Sequence, residues 1–305
     1  MRQMIEYIAA AQLIVDDIKY SSGRFYKGRL GGVAYALAGM KYWSNSIGVC
    51  SGVGDDFNDN YGAWLLRNGI DTLGISTMAG TTPHTICFYD DSEERVEKAV
   101  PGCLEIGKTM LHPSAFPESY KTCKGIYVYL GCEPDYWDEL NRWNSGGAVV
   151  LWELRGADAI PENRDKLASG LKTADILSIN YVEAVALTGE REPETIVRKL
   201  HDLGAPVLFF HMGAQGAYVS DGRRCAEVSV YPTRLVDVTG GGNSSSGGFL
   251  VGYCESGGDI VQGGKCANAA ASIVLENVGV PDIVGKAEQV EAGRRSEAIS
   301  VREIF

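Results

Sequence analysis

The chain has 305 residues, 45% of them hydrophobic and 22% charged, which is the composition of a folded protein rather than a disordered one. Its formal net charge of −11 argues against a nucleic-acid binder and against adhesion to an anionic membrane, because both need clustered basic residues. No apolar run approaches the roughly 18 residues of a membrane span. The apolar N-terminus is interrupted by polar residues, so we do not interpret it as a signal peptide.

The first predicted element is a β-strand over residues 7–15, which ends at the acids Asp16 and Asp17. Alternating stretches at about 17–30 and 84–101 predict a small β-sheet lid over a single α/β domain that spans 1–305. Beyond residue 125, strands and helices alternate, which predicts a mainly parallel sheet. The predicted strands are 125–130, 147–153, 175–179, 206–210 and 216–220, and the predicted helices are 162–171, 181–188, 193–203, 244–256 and 259–275. From Gly285 onward we expect a surface helix and a short tail.

The eight cysteines contain no Cys-x-x-Cys pair and are scattered through apolar segments. That pattern favours reduced, buried thiols in a cytoplasmic protein over a zinc site or a redox motif. The four histidines show no metal-ligand spacing either.

The strongest chemical signal is the segment V-D-V-T-G-G-G-N at 236–243. Gly240, Gly241 and Gly242 precede a helix-compatible run, and glycine N–H groups at a helix N-terminus make an anion site. A phosphoryl group in transfer needs such a site, because charge builds on its oxygens. The structural alternative is a flexible glycine turn that opens a helix.

Three further stretches have a structural and a functional interpretation. Asp16 at a strand end could accept hydrogen bonds from sugar hydroxyls, or could be a charged strand end in solvent. Gly31 and Gly32 allow a ligand to approach the backbone, or form a turn into a helix. In I-N-Y-V-E, Asn180 and Glu183 could organise a metal and phosphates through water, or form a helix cap with a capping box. In the block 51–72 we favour a helix over 61–67, capped by Asp55 or Asp56.

Taken together and in this order, these stretches resemble the PfkB/ribokinase family of carbohydrate and nucleoside kinases. The resemblance also includes Glu94–Arg95 in a lid strand, a G-x-x-G at 213–216 and A-N-A-A-A-S at 267–272. It covers nearly the whole chain. It implies a ribokinase-like, Rossmann-type α/β sandwich with a central, mainly parallel sheet and a small β-sheet lid, often used for dimerisation.

The resemblance also implies an activity and its residues. Family members transfer the γ-phosphoryl of ATP to a hydroxymethyl group of a sugar or nucleoside, with Mg²⁺ and often a monovalent cation such as K⁺. The loop amides from Gly240 to Gly242 would form the anion hole. The implied substrate residues are Asp16, Gly31, Gly32 and Tyr35; the implied cofactor residues are Asn180, Glu183, Gly213, Gly216 and Asn268, with Glu183 and Asp237 at metals.

The sequence departs from the family at the catalytic base. The family motif G-A-G-D reads G-G-G-N here, so the base position is Asn243. A carboxamide does not accept a proton as a carboxylate does, and general-base catalysis is typically worth about 10²–10⁴-fold. Three hypotheses follow: a kinase with weak or lost activity, a non-catalytic ligand-binding protein, and an ATP-independent reaction on a glycoside. Asp17 or Asp56 is conceivable as a substitute base.

Overall fold

The computed structural model describes residues 4–89, 95–283 and 285–305. The first apolar stretch of the chain contributes strands to two different sheets. The predicted strand 7–15 is wrong: β1 is Tyr7–Ala10 and β2 is Leu13–Tyr20. β1 pairs with strands of a large sheet, whereas β2 pairs only within a small one. At the crossing, the Leu13 N–H donates to Ser51 Oγ at 2.9 Å. Asp16 therefore lies inside a strand of the small sheet rather than at a strand end.

The large sheet has ten strands in the order β14-β13-β12-β11-β10-β9-β8-β1-β4-β5. The pairs from β11 to β5 are parallel, and those from β11 to β14 are antiparallel. A parallel centre with buried strands is what the alternation of strands and helices predicts. Its strands beyond β1 are β4 (Ile47–Gly54), β5 (Asp71–Met78), β8 (Gly125–Leu130), β9 (Val149–Leu154), β10 (Ile176–Asn180), β11 (Val207–His211), β12 (Ala217–Ser220), β13 (Cys225–Val228) and β14 (Val301–Glu303).

The small sheet has four strands in the order β3-β2-β6-β7, where β3 is Phe25–Gly32, β6 is His84–Tyr89 and β7 is Arg95–Ala99. Its strands come from the two stretches expected to form a lid. Glu94 lies outside the described residues. That this sheet moves as a lid, and that 1–305 is a single domain, stay predictions.

Helices cover both faces of the large sheet. On one face α1, α3, α8, α9 and α10 enclose a core with Phe249, and on the other α4 to α7 enclose a core with Trp152. This α/β sandwich confirms the predicted fold class. The helices are α1 (Val33–Lys41), α2 (Phe57–Asn60), α3 (Gly62–Arg67), α4 (Pro134–Trp143), α5 (Arg164–Gly170), α6 (Tyr181–Thr188), α7 (Pro193–Asp202), α8 (Gly241–Glu255), α9 (Ile260–Val274) and α10 (Lys286–Ala298).

Two local predictions need correction. The helix expected over 61–67 begins at Gly62 and is separate from α2, and the side chains of Asp55 and Asp56 do not cap it. Asp56 Oδ1 instead accepts hydrogen bonds from Thr82 N and Thr82 Oγ1, both at 2.7 Å. These bonds connect the loop after β5 to this segment. The tail after α10 adds β14 to the sheet edge. In the part of the chain that the structure describes, no helix is long and apolar enough to span a membrane.

Candidate active site

Three parallel strands leave polar side chains at one edge of the large sheet. Glu153 is the penultimate residue of β9, and Asn180 and His211 end β10 and β11. Ligands of parallel sheets bind outside the carboxyl ends of the strands. All three side chains line one cavity of about 570 Å³, which we call the first cavity, and β2 contributes Asp16 to it.

The glycine loop closes one side of the first cavity. α8 begins at Gly241, and Gly240 before it has φ +81°, a left-handed conformation. A Cβ on Gly240 would lie 2.1 Å from Cδ1 of the buried Tyr35 ring, so no larger side chain fits. The first N–H groups of a helix lack intrahelical acceptors and lie at the positive end of its dipole. Because Gly241, Gly242 and Asn243 line the cavity, this end of α8 is suited to bind a phosphoryl group.

Asn243, at the predicted base position, contacts a carboxylate. Its Nδ2 donates to Glu153 Oε1 at 3.1 Å and to Tyr127 Oη at 3.0 Å. Tyr127 Oη donates to Glu153 Oε2 at 2.8 Å. Burial, aided by the nearby carboxylate of Glu183, raises the pKa of Glu153 to about 7, and hydrogen bonds from Tyr127, Ser246 and Asn243 oppose this shift. The site therefore holds a carboxyl group that changes protonation near neutral pH, in hydrogen-bond contact with Asn243 at the predicted base position.

The small sheet provides the opposite wall of the first cavity. Asp16 is buried, and its Oδ1 accepts a hydrogen bond from Thr85 Oγ1. A Cβ on Gly31 would lie 1.9 Å from Asp16 Oδ2, so that glycine makes room for the carboxylate. Gly32 precedes α1 and lines the cavity, whereas Gly31 does not. Asp16, Gly32 and Tyr35 thus lie together in the cavity, and their role toward a substrate stays a prediction.

Tyr35 has a polar atom without a protein partner. Its ring is buried under Gly240 and lines the first cavity. Within the described ranges, its Oη makes no hydrogen bond. Burial raises its pKa well above the ordinary value, so the group is a neutral hydroxyl. A buried hydroxyl left unpaired costs free energy, and a bound ligand could satisfy it.

Asn180 and Glu183 form the capping box of α6. Asn180 Oδ1 accepts from Glu183 N at 2.9 Å, and Glu183 Oε2 accepts from Asn180 N at 3.1 Å. This confirms the structural interpretation of I-N-Y-V-E, yet both side chains also line the first cavity. Burial raises the pKa of Glu183. Their predicted role toward Mg²⁺ stays a prediction.

Asp237 is used to hold the small sheet against the glycine loop. Its Oδ1 accepts from Tyr20 Oη at 2.6 Å, from Thr239 N at 2.9 Å and from Thr239 Oγ1 at 2.7 Å. Tyr89 Oη and Thr239 Oγ1 are 2.8 Å apart and add a second connection. Asp237 is not among the described residues that line the first cavity. Its predicted contact with a metal is not seen in these bonds and stays a prediction.

A second cavity of about 580 Å³ lies on the other side of the glycine loop. It contains the predicted cofactor residues Gly213, Gly216 and Asn268, together with an apolar lining that includes Leu235 and Leu275. Asn268 Nδ2 donates to the carbonyls of Val228 and Ser229 at 3.1 and 2.9 Å, so it shapes this wall.

The two cavities meet at His211, Val238, Gly241 and Gly242, which line both. Burial lowers the pKa of His211 to about 4, so its imidazole is neutral at neutral pH. Two ligands bound in the two cavities would therefore face each other across the first turn of α8.

Glu153 and Tyr127 are not predicted as site residues from the sequence, and the two substitutes conceivable for the base, Asp17 and Asp56, are bonded elsewhere. Asp17 Oδ1 accepts from Gly28 N at 2.8 Å, and Asp56 is bonded as described above; neither is among the residues that line the first cavity. The available signal was one acid near the end of the apolar strand V-V-L-W-E-L.

Comparison with known proteins places these features in a family. The model of the pfkB family carbohydrate kinases matches residues 4–284. A cytidine kinase of Thermococcus kodakarensis is 27% identical over 260 residues, covering 82% of this chain and 89% of its own. A putative ribokinase II from E. coli has the same fold in its apo form, with a TM-score of 0.77 at 21% identity over 95% of this chain and 99% of that one. Its structure in complex with ATP and Mg²⁺ gives a TM-score of 0.74 at 19% identity, with the same coverage. The chain belongs to the PfkB family of carbohydrate kinases.

Proposed function

We propose that the chain transfers the γ-phosphoryl of ATP to a hydroxymethyl group of a sugar or nucleoside. The observation that carries this proposal is the pair of cavities that meet at the N-terminus of α8. Phosphoryl transfer between two bound substrates is achieved mainly by positioning and by stabilising charge on the transferred oxygens. A helix N-terminus between two ligand-sized cavities supplies both.

The acceptor occupies the first cavity in this proposal. That cavity is lined by the carboxyl groups of Asp16, Glu97, Glu153 and Glu183. Arg155, the one Lys or Arg among its described lining residues, is bonded to Asp158 and Glu133. Carboxylates accept hydrogen bonds from hydroxyl groups but repel phosphates. The lining therefore favours an unphosphorylated, hydroxyl-rich acceptor over a sugar phosphate.

ATP occupies the second cavity, with its phosphates toward Gly241 and Gly242. The apolar lining there suits a nucleobase, and the loop amides suit the phosphates. Glu183 and Asn180 would hold Mg²⁺, which neutralises charge on the phosphates when it is bound. Among the described residues, no group of three or more His, Cys, Asp or Glu could hold a metal ion. The carboxylate of Glu183 and the amide oxygen of Asn180 are oxygen donors of the kind that suits Mg²⁺, which is typically bound by one or two carboxylates together with substrate phosphates. K⁺ beside the glycine loop stays a prediction.

Dimerisation through the small sheet is part of the proposal. One row of side chains pairs in register across the four strands of the small sheet: Phe25, Lys19, Phe88 and Val96. The three apolar side chains of this row are 43–53% exposed. An apolar row on a sheet face is typical of an interface. Light scattering of the wild type and of Phe88→Glu tests it: a dimer that the substitution dissociates is expected, and a monomeric wild type would refute it.

The activity is tested by ADP release with ATP and Mg²⁺ against a panel of sugars and nucleosides. The wild type is compared with Gly240→Ala, because a side chain at this position should displace the loop amides. The loss of one such hydrogen-bond donor typically lowers kcat by about 10²–10³-fold. Acceptor-dependent ADP release that falls in the variant is the expected result. Saturable binding without turnover would instead indicate a non-catalytic protein, and ATP-independent loss of a glycoside would indicate a different reaction in the same cavity.

A further inference from the structure

The position of the family's catalytic base carries no carboxylate, but one lies against it. Glu153 Oε1 is 3.1 Å from Asn243 Nδ2, and both residues line the first cavity beside Gly242. Tyr127 completes a triangle of hydrogen bonds with them. The carboxylate therefore lies within one hydrogen bond of the place where the acceptor hydroxyl has to be.

Hydrogen-bond chemistry sets the orientation of this triangle. An ionised carboxylate only accepts hydrogen bonds, so the amide nitrogen of Asn243 must face Glu153. Both hydrogens of that nitrogen are then used, on Glu153 and on Tyr127. A carboxylate has about four lone-pair positions, and Tyr127, Asn243 and Ser246 fill at most three of them. A position is left for the hydrogen of a substrate hydroxyl.

The packing of β9 gives no other reason for an acid at this point. The strand reads V-V-L-W-E-L, and every other member is apolar. Glu153 is 8% exposed, and among the described residues it forms no ion pair. Arg155, two residues on, pairs with Glu133 and Asp158 instead. A buried carboxyl group without an ion pair is costly, and groups of this kind cluster at functional sites.

We propose that Glu153 is the catalytic base for the acceptor hydroxyl and that Asn243 holds its carboxylate in place. This rests on the proposed phosphotransfer. As the hydroxyl oxygen forms its bond to the γ-phosphorus, the bond from that phosphorus to the bridging oxygen of ADP breaks. The hydroxyl proton moves to Glu153, and ADP keeps the electron pair of the broken bond. The catalytic carboxylate is then supplied by β9 rather than by the glycine loop.

The first test compares the wild type with Glu153→Gln, which keeps the shape and removes the charge. The kcat should fall by about 10²–10⁴-fold, the usual contribution of a general base. The wild-type profile of kcat against pH should lose activity below a midpoint near 7, where Glu153 becomes protonated, and Glu153→Gln should lack that limb. Tyr127→Phe should move the midpoint to higher pH, because it removes a donor to the carboxylate.

The second test returns the carboxylate to the loop. Asn243→Asp alone puts two carboxyl groups in contact, so the pair shares a proton and kcat at pH 7 should not rise. The double variant Glu153→Gln, Asn243→Asp should have a kcat at least tenfold higher than that of Glu153→Gln alone. The acid limb of its pH profile should lie at lower pH than in the wild type.

The outcomes separate this inference from the proposed function. No ADP release by the wild type with any acceptor would refute both. An active wild type whose Glu153→Gln variant keeps kcat within threefold, with the same acid limb, would overturn only the role of Glu153. A folded double variant as inactive as Glu153→Gln would assign the loss to local structure and also overturn it.

Discussion

Replacing Glu153 by Gln should change how the stability of the protein depends on pH. The carboxyl group has a pKa of about 7 in the native state, against about 4.5 for an ordinary glutamate. Because the native state binds this proton more tightly, its contribution to stability is present below about pH 4.5 and is lost as the pH rises through about 7. One pKa unit corresponds to about 1.36 kcal/mol, so the loss is about 3 kcal/mol.

Gln does not titrate, so the free energy of unfolding of Glu153→Gln should rise by about 3 kcal/mol relative to the wild type between about pH 4 and pH 8. Urea unfolding followed by tryptophan fluorescence at several pH values measures this difference. Glu297→Gln is the matched control, since Glu297 is exposed on α10. Parallel pH curves for the wild type and Glu153→Gln would refute the burial argument.

Three further predictions concern the surroundings of the cavity. Gly240→Ala should destabilise the protein by about 1–3 kcal/mol more than Gly222→Ala, because both have φ +81° but only Gly240 abuts Tyr35; equal losses in urea unfolding would contradict the contact. Tyr35→Phe should leave stability unchanged or slightly higher while raising the KM of the acceptor about 2–13-fold, since a ligand hydrogen bond is lost; an unchanged KM would exclude that bond. Asn180→Ala should cost about 1 kcal/mol of unfolding free energy and Asn180→Asp much less, because Asp also caps helices; an equal loss in both would show that capping is not the cause.

The parts of the fold that sequence reasoning predicted are set by local patterns. β8 matches its predicted range, and α6 begins and ends where expected, because a capping box opens it and Gly189 follows in a left-handed conformation. The predicted range of the first strand is wrong for the opposite reason, because non-local pairing decides it. Residues 7–15 are apolar except for Gln12, and only pairing with distant strands decides that the chain changes sheets after Ala10.

The candidate site follows the same division. The glycine loop and Asn180 at the end of β10 could be placed from short motifs. The contact between Glu153 and Asn243 could not, since it joins residues 90 positions apart on β9 and α8. A single acid in an apolar strand is a local inconsistency, and such inconsistencies are expected at functional sites.

Transfer of the phosphoryl group to the acceptor is observed directly by ³¹P NMR of the wild-type protein with ATP, Mg²⁺ and the acceptor that gives the most ADP. We expect the γ-phosphate signal of ATP to be replaced by a phosphomonoester signal on the acceptor, in equal amount to the ADP formed. Release of inorganic phosphate in place of the phosphomonoester, or consumption of the acceptor without ATP, would contradict it.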